Sequence, residues 1–372
     1  MTDIKLGVYT ICKNELQFVD KWMENMLEAD HIAVLDTGST DGCYERLLEW
    51  QEKYPEKIII KQKTYDPWRF DIPRNDNLDM IIDLDDIFIS IDLDELMGPE
   101  DWVRRIKKAW KPFATRGSYL YTWSFDEDGN PGRQFWYNKL HDKNWRWTGA
   151  VHELLKSTLN GSEHYHPDES VSIPNIMLEH HPDRTKSRSS YLPLLRIRVA
   201  ENPEDAYAKI YLCHELFYQG LYEESIQQLD DALKVFSPDL NELEIGSCHL
   251  FKGDCYVRLG MMNEAMASYL KAIEIIPSYR EPYLNLAKVF IERKQFFMAV
   301  GAVEEGLKKS YRHFSWLERD NSWTYEPYDL LCQAYYWSGD YAKSVINAEK
   351  ALEHKPKDER LKNNLELCMK KV

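Results

Sequence analysis

In the first half of the chain, short apolar runs alternate with amphipathic stretches. Leu6–Ile11 and His31–Leu35 read as buried strands, as do Lys57–Lys61 and Ile87–Ile91. Between them, Glu15–Glu28 sets Phe18, Val19, Trp22, Met26 and Leu27 near a helical period, and Asp41–Lys53 reads as a second helix. Strand–helix alternation of this kind predicts a parallel sheet covered by helices, with ligands bound where loops leave the carboxyl ends of the strands.

After about Asn202 the pattern becomes helical throughout and repeats one phrase. A turn and an aromatic or apolar residue are followed by small residues at helical spacing. Gly220-Leu-Tyr222 leads to Ser225, Leu229 and Ala232, and Gly260-Met-Met262 to Ala265, Tyr269 and Ala272. Lys294-Gln-Phe296 leads to Ala299, Val303 and Gly306, and Gly339-Asp-Tyr341 to Ser344, Ala348 and Ala351. The closing small residues at 232, 272, 306 and 351 are separated by 40, 34 and 45 positions. A step of 34 is the tetratricopeptide period of two antiparallel helices. Residues 203–358 therefore resemble four tetratricopeptide repeats, with extra residues at Phe236–Leu243 and Tyr311–Thr324. Lys357–Lys371 is then expected to be a polar-faced closing helix.

A chain of 372 residues suits two such domains. The formal net charge of −15, with no run of Lys and Arg, argues against nucleic acid as a partner, because phosphate neutralisation dominates that affinity. Seven dispersed cysteines form no C-x-x-C pair, so neither a zinc knuckle nor a disulfide framework is predicted. Reduced thiols, an N-terminus without an apolar leader and the lack of any apolar run near ~20 residues predict a soluble, cytoplasmic protein.

The sharpest chemical signal is Ile91-Asp92-Leu-Asp94-Glu95, directly after an apolar strand. Carboxylates at i and i+2 beyond a strand end can bring oxygens to one hard cation, which in turn clamps a pyrophosphate. Taken alone the pattern is common in acidic chains, as Asp83-Leu-Asp85-Asp86 just upstream illustrates. Three further motifs surround it: Thr10-Ile-Cys-Lys-Asn14-Glu15 after the first strand, Leu35-Asp36-Thr-Gly38-Ser39-Thr-Asp41-Gly42 after the second, and Pro73-Arg74-Asn75 before the helix leading to the fourth. The loop after Asp36 also reads as a cap for the next helix.

In this order and spacing the four motifs resemble the nucleotide-sugar half of family 2 glycosyltransferases, closely over residues 4–100 and more loosely to about 195. The resemblance implies an α/β domain of the GT-A type over residues 1–195, with a mostly parallel sheet covered by helices, and an all-α tetratricopeptide-repeat solenoid over 196–372. It further implies a metal-dependent, inverting transferase that uses a nucleotide-sugar, a UDP-sugar by preference, with Mn²⁺ or Mg²⁺. Asp36 would accept from the base, Asn14 and Glu15 would shape the base and ribose pocket, and Arg74 would lie near the diphosphate or base. Asp92 would contact ribose or metal, and Asp94 would ligate the metal. Relatives often carry two adjacent acids where this chain has Asp36-Thr37, which bears on the preference for uracil.

Farther on, Trp145-Arg-Trp147-Thr-Gly149-Ala-Val-His152-Glu153 resembles an acceptor-side motif of one branch of these enzymes, with Glu153 as the base and His152 as second candidate. Trp145 and Trp147 are candidates for stacking on a sugar, although core packing is the ordinary fate of such residues. The run Phe125–Gly132 reads as an exposed turn. His180 matches a late histidine that returns to the metal, and Lys186 and Arg188 are candidates for a lid over the diphosphate. The repeats suggest a peptide or protein acceptor, although glycan or modified nucleic-acid acceptors and homo-oligomerisation fit the same surface. The alternative reading is an interaction scaffold whose front domain is an inactive transferase.

Overall fold

The computed structural model describes residues 4–126, 129–159, 169–183, 191–234 and 240–372. The chain forms two compact units, one of Met1–Arg198 with Phe314–Trp316 and the other of Val199–His313 with Leu317–Val372.

The first unit opens with β1 (Leu6–Cys12), α1 (Leu16–Met26), β2 (His31–Asp36), α2 (Cys43–Lys53), β3 (Ile58–Gln62), α3 (Asp71–Leu78) and β4 (Ile87–Ser90). The pattern-based strands are thus present, each within a residue or two of its expected ends. Then follow β5 (Glu95–Gly98), α4 (Trp102–Ala109), β6 (Arg116–Thr122), β7 (Gln134–His141), β8 (Trp145–Thr148), β9 (Leu154–Ser157) and β10 (Ser170–His180). Eight strands make one sheet in the order β3-β2-β1-β4-β7-β6-β10-β5, and β8 and β9 form a separate hairpin. β1 to β4 run parallel, β7 is antiparallel to both β4 and β6, and β5 is antiparallel to β10. The fold class is therefore mixed α/β.

The period-2 pleat sorts the strand residues onto two faces. Val8, Ile32 and Ile89 join Trp22, Met23 and Trp102 in the larger core, whereas Tyr9, Ala33 and Phe88 pack with Leu78, Ile81 and the β8–β9 hairpin. Trp145 and Trp147 belong to that second core at 2% and 5% exposure, which removes them as stacking platforms for a sugar. The cap of α2 also differs from expectation. Gly42 occupies the N-cap position at φ +93°, and Asp41 Oδ1 accepts from the Cys43 N–H at 3.0 Å.

The second unit is all-helical. The described residues form four helix hairpins, α6 (Ala206–Tyr218) with α7 (Tyr222–Lys234), α8 (Glu242–Arg258) with α9 (Met262–Ile275), α10 (Glu281–Glu292) with α11 (Phe296–Leu307), and α12 (Glu326–Ser338) with α13 (Tyr341–His354). A last helix, α14 (Glu359–Met369), follows, and α5 (Tyr191–Glu201) precedes the set across the division between the units. Three hairpin turns use glycines with positive φ (Gly220, Gly260 and Gly339), and Lys294 adopts the same left-handed backbone in the third hairpin. Of the insertions between repeats, Tyr311–Thr324 contains a short 3-10 turn at Asp320–Trp323, whereas residues 235–239 lie outside the described set.

Close approach of α8 and α9 depends on Gly253, where a Cβ would collide with the Tyr269 ring. Gly301, on the exposed side of α11, faces open space. Gly253→Ala should destabilise the chain by about 1–3 kcal/mol through overpacking. Gly301→Ala should stabilise it by about 0.5–1 kcal/mol, because the same methyl costs nothing in the helix and removes unfolded-state freedom. Urea midpoints of the two variants check this pair, and equal effects would refute the packing argument.

Candidate functional site

The carboxyl ends of β1, β2 and β4 lie side by side. Cys12 and Asp36, the last residues of β1 and β2, are partners in the ladder. Asp36 is buried, and its Oδ1 accepts from the N–H groups of Gly38 and Ser39 at 2.9 Å each and from Gln62 Nε2 at 3.0 Å. Burial pushes this carboxyl upward, but the Ser39 hydroxyl, these donors and their backbone dipoles outweigh it and hold the group ionised below its ordinary range. Oδ2 faces the Cys12 thiol at 3.7 Å. Asn14, at φ +54°, fastens the first loop to the second: its N–H donates to Ser39 Oγ at 2.8 Å and its Oδ1 accepts from the Thr40 N–H at 2.7 Å. Glu15 stands next to it at the N-cap position of α1.

Arg74 lies within α3 rather than ahead of it, and its guanidinium points inward at 6% exposure. It holds Asp92 through Nη1 at 2.8 Å and Nη2 at 3.1 Å, Ser90 Oγ through Nη1 at 2.9 Å, and Glu153 through Nε. This grip holds the Arg74 guanidinium against protein carboxylates at the end of β4. The neighbouring Asn75 pins the hairpin: its Nδ2 donates to the Trp147 carbonyl at 2.8 Å, and its Oδ1 accepts from the Trp147 N–H at 2.9 Å. Glu153 is therefore a half-buried partner of Arg74 rather than part of a surface turn. His152 adopts φ +48°, and its ring meets Tyr191 edge-on at 5.5 Å.

Asp92 also faces Lys139, a buried residue of β7 whose Nζ is 3.6 Å from both Asp92 Oδ2 and Glu95 Oε2. Burial alone would raise the Asp92 carboxyl, yet Arg74 and then Lys139 hold it well below the usual carboxylate range. Glu95 goes the other way, because burial outweighs the attraction of Lys139. Its Oε1 accepts from Tyr121 Oη at 2.8 Å and its Oε2 from the Asp92 N–H at 2.9 Å.

Asp94 meets His180. The pairing of β5 with β10 sets His180 opposite Glu95, and the His181 N–H donates to the Asp94 carbonyl at 2.7 Å. His180 Nε2 then lies 3.4 Å from Asp94 Oδ2. Its Nδ1 is 3.1 Å from the Trp123 carbonyl, which only accepts, so Nδ1 carries a proton and Nε2 faces the carboxylate. Burial pulls the basicity of His180 down, and the bond to Asp94 more than restores it. Half-exposed Trp123 stacks on the imidazole at 4.5 Å.

Of the sequence-derived residues, the structure thus gathers Arg74, Asp92 and Glu153 into one ionic cluster, Asp94 and His180 into a pair, and Asn14 and Asp36 into the joined loops. Lys186 and Arg188 lie outside the described residues. Sequence reasoning missed Lys139, Gln62, Tyr121 and Trp123, because no motif marks a lysine or tyrosine on a mixed strand.

Beneath this cluster runs a directional hydrogen-bond chain. Trp147 Nε1 donates to Tyr9 Oη at 2.7 Å, Tyr9 Oη donates to His141 Nε2 at 2.7 Å, and His141 Nδ1 donates to the Asp142 carbonyl at 2.7 Å. Burial lowers the His141 pKa to about 3.

Residues 247–279 match the family described as Tetratricopeptide repeat. The second unit is accordingly a helical region of tetratricopeptide type. A comparison with curated proteins finds no match. Solved structures similar to the chain include the MamA protein, with 16% identity, 45% of this chain and 83% of that chain covered, and a TM-score of 0.36. TTC0263, a thermophilic TPR protein in Thermus thermophilus, shows 19% identity, 49% and 90% coverage, and a TM-score of 0.38. YrrB, described as a TPR protein with an unusual peptide-binding site, shows 14% identity, 50% and 84% coverage, and a TM-score of 0.37. Among the described residues no helix is long and apolar enough to cross a membrane.

Removing Arg74 should leave two carboxylates facing each other in a poorly hydrated site. Arg74→Met is expected to cost about 3–5 kcal/mol in urea unfolding, and adding Asp92→Asn and Glu153→Gln should restore more than half of it. His141 gives a pH signature. Its pKa falls from 6.5 to about 3 on folding, so the unfolded chain takes up the proton first as pH drops. Its contribution is complete above pH 6.5 and is lost between there and about 3, at about 1.4 kcal/mol per pH unit. The stability slope between pH 6 and 5 should be shallower by about that amount in His141→Gln.

Proposed function

We propose that the chain is a metal-dependent glycosyltransferase of the GT-A type, resembling family 2, which moves a sugar from a nucleotide-sugar to an acceptor. The observation that carries this reading is Asp94 beyond the carboxyl end of β4 with His180 beside it, and Asp36 at the same end of β2, with β1 between the two strands. Parallel strands that deliver polar groups to one side give a nucleotide site its usual location.

The donor set suits a divalent cation. Asp94 offers a carboxylate, and His180 turns Nε2 toward it while Nδ1–H is committed to the Trp123 carbonyl, the outer contact that orients a ligating imidazole. Bound there, Mn²⁺ or Mg²⁺ would neutralise the charge that builds on the departing diphosphate. Asp92, held at both oxygens by Arg74, supplies negative charge at a fixed position. Asp36 keeps Oδ2 for a donor from the base, a UDP-sugar by preference. Glu153, oriented by Arg74, is assigned as the base that takes the acceptor proton, with His152 next to it. Inversion follows if that proton transfer accompanies a single displacement.

A second reading rests on the family match within the repeats: the helical unit recruits a peptide or protein, and the first unit is inactive. Under the transferase reading the same unit holds a polypeptide acceptor.

Thermal shifts with UDP-, GDP- and dTDP-sugars, each with and without Mn²⁺, separate the two. A donor at about a hundred times its Kd stabilises by about 2.7 kcal/mol. That is a Tm rise of roughly 5–10 °C for a unit of this size. The rise should appear with one nucleotide, vanish with chelator, and be absent in Asp94→Asn, whose fold should stay intact. No shift with any donor, or full sugar transfer by Asp94→Asn, would leave the interaction reading in its place.

A further inference from the structure

We propose that Cys12, Cys43 and Asp36 form a binding site for a thiophilic divalent cation, Zn²⁺ foremost, separate from the Asp94–His180 pair. Cys12 ends β1, Asp36 is its ladder partner at the end of β2, and Cys43 is the first residue of α2. All three are buried, and their ligand atoms lie within 4.8 Å of one another.

The spacing fits one ion. The two sulfurs are 4.0 Å apart, and Cys12 Sγ is 3.7 Å from Asp36 Oδ2. Two sulfurs at about 2.3 Å from a tetrahedral zinc stand about 3.8 Å apart, and a sulfur and an oxygen about 3.5 Å. Little movement is needed to close the set around a metal. Asp36 is oriented for the purpose: Gly38, Ser39 and Gln62 all bind Oδ1, which leaves Oδ2 toward the thiols. Sulfur ligands select zinc over the hard ions that suit a carboxylate and phosphate oxygens, so the two sites differ in the metal they take. Three protein ligands leave a fourth position open. Another close thiol pair, Cys332 and Cys368 at 3.7 Å, has the Ser344 hydroxyl against both sulfurs and, among the described residues, joins no carboxylate in such a ligand group, so it serves as a control.

The site has a consequence that rests on the transferase reading. Zinc on Oδ2 takes the atom assigned to the base, so zinc and nucleotide should exclude each other.

Cobalt(II) tests the site directly on the reduced full chain. One equivalent should produce sulfur-to-cobalt charge-transfer absorption with tetrahedral d–d bands, and Zn²⁺ should bleach both. Asp94→Asn and the Cys332→Ser/Cys368→Ser pair should keep the signal. Cys12→Ser should lose roughly half of the charge-transfer intensity, one thiolate of two, and Cys12→Ser/Cys43→Ser should lose all of it. Absence of the band in the unmodified chain, or its survival in the double variant, overturns the proposal. If the double variant does not fold, alkylation of the unmodified chain decides. Zinc should protect Cys12 and Cys43, identified by peptide mass, and labelling at these two that zinc leaves unchanged refutes the site. A cobalt signature without any UDP-dependent shift would fell the transferase reading and leave the metal site standing; loss of that shift on zinc loading would support both.

Discussion

One buried cation organises the first unit. Arg74 is out of water and must meet its counter-charges inside the protein, since a buried guanidinium left alone is prohibitively costly. Its partners come from two places: Asp92 and Ser90 at the end of β4, and Glu153 from the segment after β8. Asn75, one residue on, ties down the backbone of Trp147, and the Phe70 N–H reaches the Ala150 carbonyl at 2.9 Å. The helix thus draws the hairpin and the strand end together. With Asp92 taken by Arg74, the alternate acid of the motif, Asp94, is the one that pairs with His180.

The parallel half of the sheet was easy to read. Strands covered on both faces appear as unbroken apolar runs, as β1, β2 and β4 largely do, and the edge strand β3 still opens with three isoleucines. The stretch from Glu95 to His180 was opaque for a physical reason. β7 reads Gln-Phe-Trp-Tyr-Asn-Lys-Leu-His and carries no clean alternation, because one of its inward residues is a lysine. Lys139 could be buried only because Asp92 and Glu95 await it, and no local pattern announces that. The acidic motif was legible as a motif, but which of its carboxylates is held in an ion pair depends on an arginine from another element. His180 was placed by resemblance, and its approach to Asp94 arises from the antiparallel pairing of β5 with β10.

In the helical unit the repeat phrase found each hairpin of the described residues, since small residues must recur wherever two helices close tightly. What it did not disclose is the function of the insertion before the fourth hairpin. Arg319 from that insertion reaches Asp254 of α8, which also accepts from Tyr269 Oη at 2.8 Å and Asn285 Nδ2 at 2.7 Å. The extra residues are thereby stitched to the second and third hairpins by a buried polar knot, which a repeat period cannot foretell.

The chain of donors from Trp147 through Tyr9 to His141 has an evolutionary corollary. Each link has one polarity, so replacing His141 or Tyr9 alone leaves a neighbour with a buried group it cannot satisfy, whereas exchanging all three for apolar residues of similar volume leaves just the Asp142 carbonyl to find a new donor. Lineages descended from this sequence should therefore keep the trio whole or lose it whole. Survivors holding just part of it would be those that had recruited water or a new partner into the gap.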